Sequence, residues 1–169
     1  MVTMVLPFER RCHARPFAMA AFWPDVRDRT VHRPQLGLPT MTSVNGIKRI
    51  SSGSPFEPIV GYSRAVVAGP YVEIAGTTAP QAGDTPYAQA KGALEIIGTA
   101  LAEAGVTFAD VVRTRIFVTD ISQWEEVGRA HGEVFGEIRP VSTMVEVAAL
   151  IDPAMLVEIE ATAYRGAQQ

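Results

Sequence analysis

Cysteine occurs once, at Cys12. An intrachain disulfide and a thiolate zinc site are therefore excluded, and a reducing cytoplasm is the expected setting. Histidine is scarce too: His13, His32 and His131 show no metal-ligand spacing, so no metal is expected. Lysine is limited to Lys48 and Lys91. No apolar run approaches the ~20 residues that span a bilayer, so no membrane segment is expected. The motif G-x-S-x-G is absent, and no histidine stands in register near Ser142 and Thr143, which argues against a serine nucleophile there.

What is present is an ordinary globular composition, 47% hydrophobic and 20% charged over 169 residues. That length suits one domain and an extension. The net charge of −3 hides an asymmetry. Residues 1–40 carry six Arg against Glu9, Asp25 and Asp28, or +3, and the remainder carries nine basic and fifteen acidic residues, or −6. An acidic body without a basic-aromatic surface does not suit nucleic acid.

The first 40 residues are rich in Arg and Pro, lack Lys and Ser, and keep no helical or strand period. Their apolar patch, Phe17 to Trp23, is short for a signal-peptide core, and a transit peptide would carry Ser. Residues 1–45 are expected to be a disordered or non-native extension, with Met41 as a natural first residue. A basic interaction arm is the alternative. Residues 46–166 are expected to form a single domain.

Within it, "SRAVVA" and "YVEIAGT" around Gly69-Pro70 suggest a hairpin. Thr85 and Pro86 open a helix whose apolar stripe is Ala90, Ala93, Leu94, Ile97, Leu101 and Ala104, and Gly105 stops it. "VVRTRIFVTD" reads as a strand. A second helix follows, with Ser122 and Glu125 as a capping box and Trp124, Val127, His131, Val134 and Phe135 on one face. "STMVEVAAL" and "LVEIEATAYR" are the last strands, parted by Ile151-Asp152-Pro153. The order is β-β-α-β-α-β-β: an α+β domain, one mixed sheet with both helices on one face.

The two-residue strand period sorts the side chains. Val112, Thr114, Ile116 and Val118 oppose Arg113, Arg115 and Phe117. Val157, Ile159, Ala161 and Ala163 oppose Glu158, Glu160, Thr162 and Tyr164, and Thr143, Val145 and Val147 oppose Ser142, Met144 and Glu146. Each strand thus offers an apolar face to the helices and a mixed face. Phe117, Met144 and Tyr164 among the charges point to a subunit interface, where buried charges need partners. A solvated face with surface ion pairs worth under about 1 kcal/mol each is the alternative.

Three blocks, "GYSRAVVAGPYVEIAGTTAP", "VVRTRIFVTDISQWEEVGRAHGEVF" and "RPVSTMVEVAALIDPAMLVEIEATA", resemble the Rid family. Its members are also called YjgF-type proteins, enamine/imine deaminases or, formerly, L-PSP endoribonucleases. The resemblance runs from about Ile50 to Arg165 and does not reach residues 1–40. It implies a chorismate-mutase-like fold, a homotrimer with inter-subunit clefts for a small molecule, and hydrolysis of enamines and imines such as 2-aminoacrylate without a cofactor.

The resemblance also implies site residues. Tyr62 matches the cleft tyrosine, Gly76 a glycine whose backbone meets ligand, and Glu158 an acidic residue that holds the attacking water. Deaminating members carry a carboxylate-binding arginine where this chain has Ser142, followed by Thr143, and Ala75 replaces a frequent serine. Loss of the arginine removes a charge-assisted pair worth roughly 1.5–3 kcal/mol. Arg139 and Arg115 are the candidate substitutes, each with structural pairing as the alternative. Outside that set, His131 is expected at the edge of the core, Trp124 between helix and sheet, and Lys91 in solvent. Glu158 and Glu160 share a face, where salt bridging is the commoner role. The expected activity is hydrolysis of imines other than the usual amino-acid-derived ones. A non-catalytic, metabolite-binding trimer is the competing expectation.

Overall fold

The structure is a computed structural model that describes residues 42–166. They fall in the compact unit Leu36–Gln169. The expectations for residues 1–41 lie outside the described residues.

Strands β1 (Thr42–Val44) and β2 (Ile47–Ile50) form a hairpin upstream of the expected elements. Asn45 and Gly46 both have positive φ, 54° and 75°, which is the backbone a two-residue primed turn demands. The first described strand thus starts at Thr42. A short helix, α1 (Phe56–Val60), leads to β3 (Ala65–Ala68) and β4 (Tyr71–Thr77), which pair antiparallel around Gly69-Pro70 as expected.

Helix α2 (Pro86–Ala104) follows its sequence signals closely. The Thr85 hydroxyl accepts from the Ala88 N–H at 3.2 Å, and Gly105 closes the helix at φ 79°. Leu94, Ile97 and Leu101 are fully buried, each burial stabilising by about 1.5–3 kcal/mol. Strand β5 (Val111–Val118), helix α3 (Trp124–Phe135), and strands β6 (Val141–Glu146) and β7 (Val157–Tyr164) complete the domain. The expected capping box is replaced: Asp120 accepts from the Ser122 N–H at 2.9 Å and from its hydroxyl at 2.6 Å, ahead of a single 3₁₀ turn.

The sheet order is β1-β2-β3-β4-β7-β5-β6. Neighbours are antiparallel except β5 and β6, which run parallel and are joined through α3. Alternate residues of β3, β4, β5 and β7 enter one hydrophobic core with the buried faces of α2 and α3. The fold is therefore α+β, a mixed sheet with its helices on one face.

Buried Gln89 ties α2 to the loop before β7. Its amide donates to the Gly83 and Ala154 carbonyls at 3.0 and 2.8 Å and accepts from the Leu156 N–H at 2.8 Å. A buried amide is tolerated because these bonds satisfy it.

Three face assignments differ from expectation. A bulge between Val111 and Arg113 buries Val111 and leaves Val112 44% exposed. In β6 the faces are exchanged. Ser142 and Met144 lie in register with Thr114 and Ile116 on the helix side, while Thr143 and Val145 join Arg115 and Phe117 on the open side. An edge strand is weakly buried, so its side-chain pattern does not determine its register. Trp124 stands at the first position of α3 and is 55% exposed, outside the helix–sheet interface.

Candidate functional site

The open sheet face carries rows of charge. β7 places Glu158, Glu160 and Thr162 on it, opposite Phe117, Arg115 and Arg113 of β5. Arg115 and Glu160 form an ion pair at 2.5 Å. Glu73 accepts from the Thr162 hydroxyl at 2.7 Å. Arg113 has no ion pair among the described residues. A cavity of about 320 Å³ opens here, lined by Tyr62, Glu73, Arg113, Arg115, Glu160 and Thr162.

At one margin the register of β4 against β7 shifts between Ile74 and Thr77. The irregular stretch is Ala75-Gly76, and Ala75 forms part of the cavity wall. The Glu158 carboxylate occupies the space a side chain at Gly76 would need: a Cβ there would fall 1.8 Å from Glu158 Oε1. Burial pushes the Glu158 carboxyl above the ordinary carboxylate range, the neighbouring Glu160 adds to this, and Arg64 opposes it. A carboxyl raised in this way is a physical mark of a group that can transfer protons.

Arg64 precedes β3 and reaches across to the irregular stretch. Its Nη1 donates to the Thr77 hydroxyl at 2.8 Å and to the Gly76 and Ala75 carbonyls at 3.2 and 3.5 Å. Behind it lies buried Glu57, which accepts from the Ser51 hydroxyl and from the Ser52 N–H and hydroxyl at 2.8 and 2.7 Å. Burial alone would raise the Glu57 carboxyl, but these bonds and the charge of Arg64 hold it below the ordinary range.

Of the residues expected at the site, Tyr62 and Arg115 line the cavity, and Gly76 meets Glu158 at its margin. Ser142 and Arg139 are placed elsewhere. Ser142 lies on the helix side, where its Oγ is 2.9 Å from the Thr114 hydroxyl. Thr114 is in turn 3.0 Å from His131 Nε2, so a histidine does connect to Ser142 through one hydroxyl, contrary to the reading of the sequence alone. His131 is half-buried, and burial lowers its basicity. Arg139 takes a left-handed φ of 54°, and its Nε donates to the Gly136 carbonyl at 3.0 Å. Arg115 is committed to Glu160.

Arg64, Glu57 and Arg113 were not singled out from the sequence. "YSRAVV" gives Arg64 no distinguishing spacing, because its role depends on the backbone of a strand that comes 11 to 13 residues later. The strand period puts Arg113 on the open face, but its lack of an ion pair among the described residues depends on the fold. Among the described residues no group of three His, Cys, Asp or Glu could hold a metal ion. No helix among them is long and apolar enough to cross a membrane.

A family model described as Endoribonuclease L-PSP matches residues 52–165. A crystal structure of Rv2704 from Mycobacterium tuberculosis, described as a member of the YjgF/YER057c/UK114 family, is 61% identical. The match covers 70% of this chain and 98% of that one, with a TM-score of 0.68. An uncharacterized protein of Streptomyces coelicolor is 44% identical over 133 residues, 75% of this chain and 98% of its own. The human protein named 2-iminobutanoate/2-iminopropanoate deaminase is 31% identical over 127 residues, 71% of this chain and 92% of its own. The chain belongs to the L-PSP endoribonuclease family, the YjgF or Rid family.

Proposed function

We propose that this domain hydrolyses reactive enamines or imines to a carbonyl compound and ammonia, with Glu158 as the proton-transfer group. The observation that carries this reading is the Glu158 carboxyl, raised by burial and seated against Gly76 beside a cavity. As a carboxylate, Glu158 takes a proton from water while the water oxygen bonds to the C=N carbon and the C=N π pair moves to nitrogen, and it then gives that proton to the nitrogen to form the carbinolamine. As the carbinolamine collapses, Glu158 takes its hydroxyl proton while C=O forms and the C–N bond breaks, and passes that proton to the departing nitrogen, so that ammonia leaves and Glu158 is again a carboxylate. The reaction needs no oxidant or cofactor. The name of the human relative supports the reaction class.

The substrate differs from 2-aminoacrylate in this reading. The position that would carry a carboxylate-binding arginine is Ser142, which faces away from Glu158. Arg113, which has no acidic partner among the described residues, is the cation the cavity offers to an anionic ligand. Tyr62, Gly76 and Arg115 contribute wall and backbone. Three copies of the chain, packed through their open faces, would complete the clefts in the cytoplasm and cover Phe117 and Tyr164.

The same displaced position favours a second reading, a trimeric metabolite-binding protein without deaminase activity. Incubation with freshly generated 2-iminopropionate and with imines of larger oxo acids separates the two. Turnover above buffer that is lost in Glu158→Gln supports the enzyme. Saturable binding without turnover of any imine supports the binding protein.

A further inference from the structure

We propose that Arg64 is the positioning residue for Glu158: its guanidinium locks the Ala75-Gly76-Thr77 backbone against which the Glu158 carboxylate rests and sets a fixed positive charge beside it. This deepens the reading of Glu158 as the proton-transfer group and rests on it.

One terminal nitrogen of the Arg64 guanidinium, with two N–H groups, lies within 2.8–3.5 Å of three oxygens of the irregular stretch in β4, and the Ala75 N–H donates back to the Arg64 carbonyl at 3.0 Å. The two segments are thereby clamped from both backbone and side chain. Gly76 then has little freedom to move, and the space left by its missing Cβ stays matched to Glu158. The Arg64 Nε is buried and has no hydrogen-bond partner among the described residues.

The charges around Glu158 point the same way. Glu160 shares its strand and repels it, and the nearby Arg115 of β5 is neutralised by that same Glu160. From the β3 side, Arg64 is the cation that acts on Glu158, and it is balanced from behind by buried Glu57. Without Arg64, burial and Glu160 would act on Glu158 unopposed.

The test uses the full chain with carbon-13 labelled glutamate. The Glu158 carboxyl is titrated by NMR in wild type, Arg64→Gln and Arg64→Lys, beside the Gly76 amide shift and the pH profile of imine hydrolysis. Arg64→Gln is expected to move the Glu158 titration upward by about one pH unit or more. Arg64→Lys keeps the charge but shortens the reach of the donor. It is expected to give a smaller rise, a displaced Gly76 amide, and a fall in kcat with little change in KM. Should Arg64→Gln fail to fold, Arg64→Lys carries the test. A Glu158 titration and a Gly76 amide that both match wild type in the folded variants would overturn the proposal. Displaced titration in a protein that never hydrolyses an imine would uphold Arg64 and remove the hydrolase reading. Unmoved titration in a competent hydrolase would remove Arg64's role and leave that reading standing.

Discussion

Glu158 fills the space that Gly76 leaves empty, its Oε1 lying 1.8 Å from where a Cβ would stand. The two residues come from separate strands, and neither can change size without moving the other. Gly76→Ala is therefore expected to push the carboxylate out of its seat. A misplacement of about 1 Å reduces turnover on the order of 100-fold, and the overpacking destabilises by about 1–3 kcal/mol. Steady-state imine hydrolysis and urea unfolding of the variant check both effects.

Glu158 also links stability to pH. Its folded carboxyl lies above the ordinary 4.5, so the folded state binds this proton more tightly than the unfolded chain. The stabilisation is full below the ordinary value and is lost as pH rises through the raised one. Glu158→Gln, which cannot ionise, is expected to gain on wild type over that window. Urea midpoints of the two proteins between about pH 4 and pH 8 should diverge upward with pH; parallel curves would contradict the linkage.

Glu57 has the opposite sign. Its carboxyl is held below the ordinary 4.5, so its contribution is present above that value and is lost as pH falls through the depressed one. Glu57→Gln weakens the bonds from Ser51 and Ser52 and is expected to cost about 1–3 kcal/mol near neutral pH. The gap to wild type should shrink on acidification, as thermal unfolding across the acid range would show.

Gln89→Leu keeps the volume and deletes three bonds, leaving the Gly83 and Ala154 carbonyls and the Leu156 N–H without their amide partner. The expected loss is about 1–3 kcal/mol. Hydrogen exchange at Leu156 should quicken while exchange in the middle of α2 changes only with global stability.

The elements that sequence reading found best are those whose local chemistry and burial agree. Thr85, Pro86 and Gly105 bound α2 by capping rules, and β7 alternates because both of its neighbours are ordered strands. Asn45-Gly46 is a readable turn signal, and it joins β1 to β2. Strand β6 misled because Val, Thr and Met suit either face of an edge, and only pairing with β5 decides between them. Val112 misled because a bulge breaks the period. The family resemblance points to Gly76 and Glu158, which the structure brings side by side. Arg64 and Glu57 carry no such signal, since their importance comes from distant backbone oxygens and hydroxyls that no local spacing brings together.

In the proposed reaction the Glu158 carboxyl moves the protons of imine hydrolysis. The most direct measurement is the initial rate of ammonia release from a panel of freshly generated imines, with wild type and Glu158→Gln compared at equal folded concentration. Wild type should release ammonia above the buffer rate from at least one imine, and the variant should lose that rate by on the order of 100-fold or more. Equal rates for the two proteins on an imine that wild type hydrolyses would contradict this role of Glu158.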